Sequence, residues 1–187
     1  MKRRPHLLGI DDGPFVKGRD ATVPLIAVAM SGADLIEGVA LERFPLDGAG
    51  ATDFVAEWVR RLRTFEALHA VALGGITIAG LGVIDVCELS ERLALPVLVV
   101  TRKNPSASEL ARALRAAGLE ARLPIVERSP AAVRCEEGIY LAFAGTDFDG
   151  ALALLRATQA RSHYPEPVRV AHLIGQAVVF GASRGRV

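Results

Sequence analysis

The chain has 187 residues, 51% of them apolar and only 5% aromatic, with a formal net charge of +1. That length suits one domain with a full core, and the aliphatic bias favours an α/β protein over a β-sandwich. The balanced charge gives no global mark of a nucleic-acid binder, although a local basic patch is left open.

Two cysteines, Cys87 and Cys135, allow neither a disulfide framework nor a Cys/His zinc pattern, and read as buried thiols in a reducing, cytoplasmic compartment. The opening MKRRPHLLGIDDG is basic and then apolar, but its apolar part is too short for a signal peptide and ends in acids. No apolar run is long enough to span a bilayer.

In chain order, His6 to Asp11 reads as a buried first strand and Val23 to Met30 as a second. Ser31-Gly32-Ala33-Asp34 has turn chemistry, and Leu35 to Phe44 reads as a third strand in which Ile36, Val39 and Leu41 alternate with Glu37 and Glu42. These three predict an antiparallel meander. After DGAGA, Thr52 is the expected N-cap of a helix whose Phe54, Val55, Trp58, Val59 and Leu62 fall at helical spacing. Ala70 to Leu73 reads as a short buried strand ending in Gly74-Gly75, and a helix is expected around Val83 to Leu93 with Asp85 near its start. Pro96 to Val100 reads as a central parallel strand, and Asn104-Pro105 as the opening of a helix that ends at Gly118.

Further on, Leu123 to Val126 and Ile139 to Phe143 read as short strands, Asp147 to Ala160 and Pro165 to Phe180 as helices, and the terminal GASRGRV as a loose tail. The order βββαβαβα is the ribonuclease H arrangement: α/β, with a ribonuclease H-like mixed sheet flanked by helices, over one domain spanning 1–187.

The segment HLLGIDDGPF carries the most chemistry. A desolvated carboxylate needs a cation or donors beside it, and successive strand residues face opposite sides. One of Asp11 and Asp12 can therefore face a cleft while the other bonds the turn; alternatively both satisfy backbone N–H groups.

Four blocks occur in order: GIDDGPF, GITIAGLGVIDV, PVLVVTRKNP and YPEPVRVAHLI. Together they resemble the archaeal and bacterial family called domain of unknown function 99 or uncharacterised protein family 0215, also described as endonuclease dU and similar to endonuclease V. The resemblance covers nearly the whole chain. It implies metal-dependent cleavage of DNA near a deaminated base, deoxyuridine or deoxyinosine.

Carried over residue by residue, the first-strand acid of endonuclease V falls on Asp11 or Asp12. The place of a second acid, at the end of the fourth strand, is taken by Gly74. A third acid has Asp47 and Asp53 as candidates, and a basic residue after the fifth strand matches Arg102 or Lys103. The terminal PEPxRxAH pattern is matched by Pro165, Glu166, Pro167, Arg169, Ala171 and His172.

Carboxylates from several elements can hold Mg²⁺ or Mn²⁺ for phosphodiester cleavage. The candidate ligands are Asp11, Asp12, Asp85 and Asp53, with Lys103 or Arg102 steadying phosphate and His172 as general acid or phosphate contact. Gly75 and Thr77, in the Gly-rich stretch, are where an extruded base is expected to sit, with Arg102 and Arg169 as further nucleic-acid contacts.

Each has a structural counterpart. Asp85 can favour its helix dipole, His172 can be a core histidine, and Arg169 can pair with Glu166. Two further functions therefore stand beside the nuclease: a non-catalytic ribonuclease H-like module that binds nucleic acid or protein, and an actin-like phosphotransferase suggested by Asp-Asp-Gly after a strand. Leu173, Ile174, Val178, Val179 and Phe180 nearly encircle the last helix and suggest contact with a second subunit in a homodimer.

Overall fold

A computed structural model describes residues 4–136 and 138–183. Positions 184–187 of the terminal tail lie outside the described residues. The first three strands are β1 (His6–Asp12), β2 (Thr22–Ser31) and β3 (Leu35–Pro45), and they form the expected antiparallel meander. Next come helix α1 (Ala51–Arg60), strand β4 (Ala70–Leu73) and a two-stranded hairpin of β5 (Thr77–Ile78) and β6 (Gly82–Val83). Helix α2 (Val86–Leu93), strand β7 (Val97–Thr101) and helices α3 (Ala107–Ala116) and α4 (Leu123–Arg128) follow. The chain continues with β8 (Val133–Glu136), β9 (Ile139–Ala144), α5 (Phe148–Ala157) and α6 (Glu166–Phe180).

The main sheet has the order β3-β2-β1-β4-β7-β9-β8. Its centre is parallel: β4 pairs with β1 on one side and with β7 on the other. β9 then runs antiparallel to β7. Strand periodicity sorts the core into two layers. Leu8, Ile10, Val71, Leu73, Val97 and Val99 pack under α1 and α2. Leu7, Ala70, Ala72, Leu98 and Val100 pack under α5 and the start of α6. Ala171 continues that second layer over Ile26, Val28 and Met30.

α6 lies directly on β1, and three glycines make this possible. A Cβ on Gly9 would come within 2.2 Å of the Pro167 carbonyl carbon, and one on Gly175 within 3.1 Å of Gly13 Cα. A Cβ on Gly13 would come within 3.2 Å of the Gly175 carbonyl oxygen. Backbone meets backbone here, which is a use of glycine that no other residue can replace.

Several local expectations are corrected. Leu123–Val126 is helical, with Pro124 in the first turn and Val126 buried against Leu114 and Val83; a four-residue apolar run does not by itself separate strand from helix. Thr52 is not the cap of α1: Gly50, at φ 71°, starts the helix, and the Thr52 hydroxyl accepts the Asp85 N–H instead. α3 is capped by Ser106, whose Oγ accepts the Glu109 N–H, so Asn104-Pro105 only leads into it. β8 and the β5–β6 hairpin were not anticipated, being too short to show a period. In β3 the apolar side of the alternation faces outward, leaving Ile36, Val39 and Leu41 about half exposed.

Gly9→Ala is expected to cost roughly 1–3 kcal/mol or more, the range for forcing a methyl group into a packed backbone contact. Urea unfolding measures this, and a loss within experimental error would show that α6 does not sit at the described distance.

Candidate functional site

The C-terminal ends of the parallel strands β1, β4 and β7 meet at one edge of the sheet, where open α/β sheets place ligands. β1 delivers Asp11 and Asp12 there, and alternation sends them to opposite faces.

Asp11 lies on the α6 side. His172 Nδ1–H donates to Asp11 Oδ2 at 2.8 Å, and the Gln176 amide lies 2.9 Å from His172 Nε2. The hydrogen bond to Asp11 holds the His172 imidazole above its ordinary pKa, against the opposing effect of its partial burial.

Gly74 leaves a cradle beside this pair. A Cβ at that position would lie 2.9 Å from Asp11 Oδ1 and 3.3 Å from the Tyr164 hydroxyl. Tyr164 donates to the Val100 carbonyl at 3.2 Å. Burial first, and then the Asp11 charge, push its phenol well above the usual range. The Arg102 guanidinium lies 5.0 Å from the centre of the Tyr164 ring, a cation–π arrangement. With Thr101 and Lys103, these groups line a cavity of about 400 Å³. Arg102 and Lys103 are exposed at its rim.

Asp12 turns to the other face, where its Oδ2 accepts the Ala79 N–H at 2.7 Å. Ala79 and Gly80, at φ 47° and 89°, form the tip of the β5–β6 hairpin. Asp47 holds the same tip: its N–H donates to the Ala79 carbonyl, and its Oδ1 accepts the Leu81 N–H at 2.8 Å. Arg122 braces it further through the carbonyls of Leu81 and Asp47. The hairpin's entry strand, through Gly75, Ile76 and Thr77, walls a second cavity of about 680 Å³ that shares Thr101 with the first. The start of α3 and the Pro130–Ala132 loop form its other side.

Of the acids expected to join Asp11 and Asp12, neither Asp85 nor Asp53 lines the cavity. Asp85 is buried as the N-cap of α2: Oδ1 accepts the Glu88 N–H, and Oδ2 accepts from Arg128. Asp53 is exposed on α1 and pairs with Arg92 at 2.6 Å. Among the described residues no group of three or more His, Cys, Asp or Glu is placed to hold a metal ion. Arg169 is engaged at 2.6 Å with Glu166, a buried carboxylate at the start of α6.

Sequence reasoning missed Tyr164, Thr101 and Gln176. The signal for Tyr164 was its place just before Pro165, at the entry to the helix that carries His172.

Burial, then the neighbouring Asp11 charge, push the Asp12 carboxyl up from 3.8 to about 6. Native Asp12 therefore keeps a proton that the unfolded chain releases. Its contribution to stability is complete below the unfolded value and is lost as pH rises through the folded one. In metal-free buffer Asp12→Asn, which can still accept from Ala79, is expected to stabilise the fold by about 1–3 kcal/mol at pH 7.5 and not at pH 3.5. Paired urea titrations at the two pH values test the sign.

Comparison with known proteins places this geometry in a family. The sequence profile described as Endonuclease dU matches residues 3–179. A UPF0215 protein of Methanothermobacter thermautotrophicus is 38% identical over 99% of this chain and 93% of its own length. A crystal structure of an Archaeoglobus fulgidus protein of unknown function superposes with a TM-score of 0.87 at 31% identity, covering 95% of this chain and 100% of that one. Endonuclease V from Ciona intestinalis, in complex with a 24mer DNA containing an inosine followed by a ribo-adenosine, superposes with a TM-score of 0.58 at 10% identity. That match covers 91% of this chain and 83% of the other, and it shows a shared ribonuclease H-like fold. On the profile match and the identity of its relatives, the chain belongs to the endonuclease dU family.

Proposed function

We propose that this protein is a nuclease that cuts a phosphodiester of DNA beside a deaminated base, at the cavity lined by Asp11 and His172. The observation that carries the reading is the Asp11–His172 pair facing the Gly74 cradle, with Arg102 and Lys103 at the rim. Family membership and the endonuclease V fold support it.

The donor set suits one hard cation rather than a two-ion clamp. Asp11 Oδ1 faces space that any Cβ at position 74 would fill. Mg²⁺ is commonly held by one or two carboxylates, with water and substrate phosphate completing its shell. Asp11 would hold such an ion, Mg²⁺ or Mn²⁺. When bound, the ion supplies positive charge to the phosphate oxygens and acidity to a coordinated water.

The chain's own side chains account for the remaining functions. Arg102 and Lys103 attract the backbone phosphate and orient it, Arg102 from a position fixed over the Tyr164 ring. Asp11 orients the His172 ring through Nδ1; Nε2 would serve as the proton donor to a leaving oxygen once substrate takes the place of the Gln176 amide there. Tyr164 keeps its proton and closes the floor of the cavity. The adjoining 680 Å³ cavity, walled by Gly75 and Thr77, is where an extruded base would enter, because a base edge is hidden within a duplex.

A second reading is supported by one observation. The site has a single carboxylate at the cradle, and Gly74 stands where the endonuclease V pattern calls for an acid. A non-catalytic module binding the same DNA would need only the basic rim and the base cavity.

The test is incubation of the purified chain with oligonucleotides carrying one deoxyuridine or deoxyinosine, with Mg²⁺ or Mn²⁺. The wild type is expected to give a single cut. Asp11→Asn is expected to lower the rate at least about 100-fold while DNA binding persists, and His172→Ala about 100- to 10,000-fold. Gly74→Ala should also slow cleavage, because its methyl displaces the Asp11 carboxylate. Salt-sensitive binding without cleavage by the wild type would favour the second reading, and neither binding nor cleavage would end both.

A further inference from the structure

The two edges of the main sheet are built differently. β8 is a short edge of four residues, with an irregular register against β9 between Arg134 and Glu136. Such features blunt an edge against further pairing. β3, at the other edge, is eleven residues long; it has one register shift against β2, at Glu37, then runs regularly from Gly38 to Pro45, and no described strand lies on its outer side. Its Ile36, Val39 and Leu41 are 48%, 53% and 47% exposed. They continue the apolar layer that α6 covers only as far as β2, since Ile36 pairs with Met30, Val39 with Val28 and Leu41 with Ile26. A regular edge of this length with three half-exposed apolar side chains on one face is uncommon in a soluble monomer, even with Glu37, Glu42 and Arg43 along it.

We propose that this edge is a two-fold interface with a second copy of the chain, the two β3 strands pairing antiparallel about Ala40. The occupant follows from self-complementarity. A two-fold axis at Ala40 sets Val39 opposite Leu41 of the second copy, twice, on the α6 face. Apolar residues directly opposite each other are the stabilising unit of an antiparallel pair. On the α1 face the same axis sets Ala40 opposite Ala40, and Gly38 opposite Glu42 of the second copy.

Gly38 has no side chain to oppose that glutamate. It lines an open groove of about 560 Å³ together with Arg61 and Arg63. Arg61 already reaches its own Glu42 at 3.7 Å. Arg63 is exposed and meets no carboxylate among the described residues. Glu37 also lines the groove but is turned to His6, so the glutamate of the second copy enters beside Arg63, the basic group there that its own chain does not answer among the described residues. A symmetric patch that carries both an acid and its basic receptor is what a closed two-fold dimer requires. β3 is separated from β1 by β2, so pairing there leaves both Asp11 cavities uncovered.

The experiment is light scattering of the purified chain over a wide range of concentration, with circular dichroism to confirm folding. The wild type is expected to run as a dimer. Val39→Lys and Leu41→Glu, each at a half-exposed position, are expected to fold and run as monomers. The double variant should recover the dimer, because each introduced lysine then lies opposite an introduced glutamate of the other copy. Val178→Lys, at the exposed end of α6, should leave the dimer intact. A wild type that stays monomeric at every concentration would overturn the proposal, as would a dimer that survives Val39→Lys alone and Leu41→Glu alone or is lost in Val178→Lys.

Discussion

The contact between α6 and β1 decides what the sheet edge can do. Asp11 and His172 are 161 positions apart in sequence, and they meet at 2.8 Å because the helix lies against the strand with backbone touching backbone. Gly9, Gly13 and Gly175 supply the clearance. Larger residues at these three points would lift the helix, and a lift of an ångström removes the hydrogen bond that orients the imidazole. Pro165 and Pro167 at the start of α6, and the buried pair of Glu166 with Arg169, fix where the helix begins. The imidazole is thus placed by packing at the far end of its helix as much as by its own contacts.

Two neighbouring aspartates then carry out different tasks with no difference in local sequence. Strand alternation turns Asp11 toward α6 and an open cavity, and Asp12 toward the hairpin tip and burial. Asp12 is raised in pKa because it is largely desolvated beside a second carboxylate, which the backbone N–H groups of Ala79 and of Asp12 itself and the nearby His172 offset only in part. Its use is positional. The hairpin has two residues in each strand and a tip at positive φ, and it stays in place because Asp12, Asp47 and Arg122 hold it from three sides. The wall of the larger cavity follows from that bracing.

Much of this was legible in the sequence wherever a period or a cap carried the information. The three-strand meander and the stripe on α1 follow from spacing, while for Asp11 and Asp12 strand alternation allowed a divergence that a turn holding both would have replaced. Acids whose partners lie far along the chain could not be read in the same way. Asp85 looks like a metal ligand only until Arg128, 43 residues on, is seen to neutralise it. Asp47 takes its role from a hairpin too short to leave a pattern. The alternation in β3 located a strand correctly, but it could not say which side met the core, because that depends on how far α6 extends over the sheet.

The balance of charge in the cavity bears on how the proposed chemistry would begin. Asp11 brings a negative charge to the lining, with Asp12 beside it on the other face, against Arg102, Lys103 and an imidazole that Asp11 makes easier to protonate. With no DNA present, the two cations at the rim favour a phosphate there. On the reading proposed above, the nucleic-acid backbone would therefore arrive first, offset Arg102 and Lys103, and offer the oxygens that a lone carboxylate does not. Gly74 then need not be a ligand lost from a two-ion site. With no side chain there, the space beside Asp11 Oδ1 stays open, and on that reading an ion held there would be surrounded mostly by substrate rather than by protein.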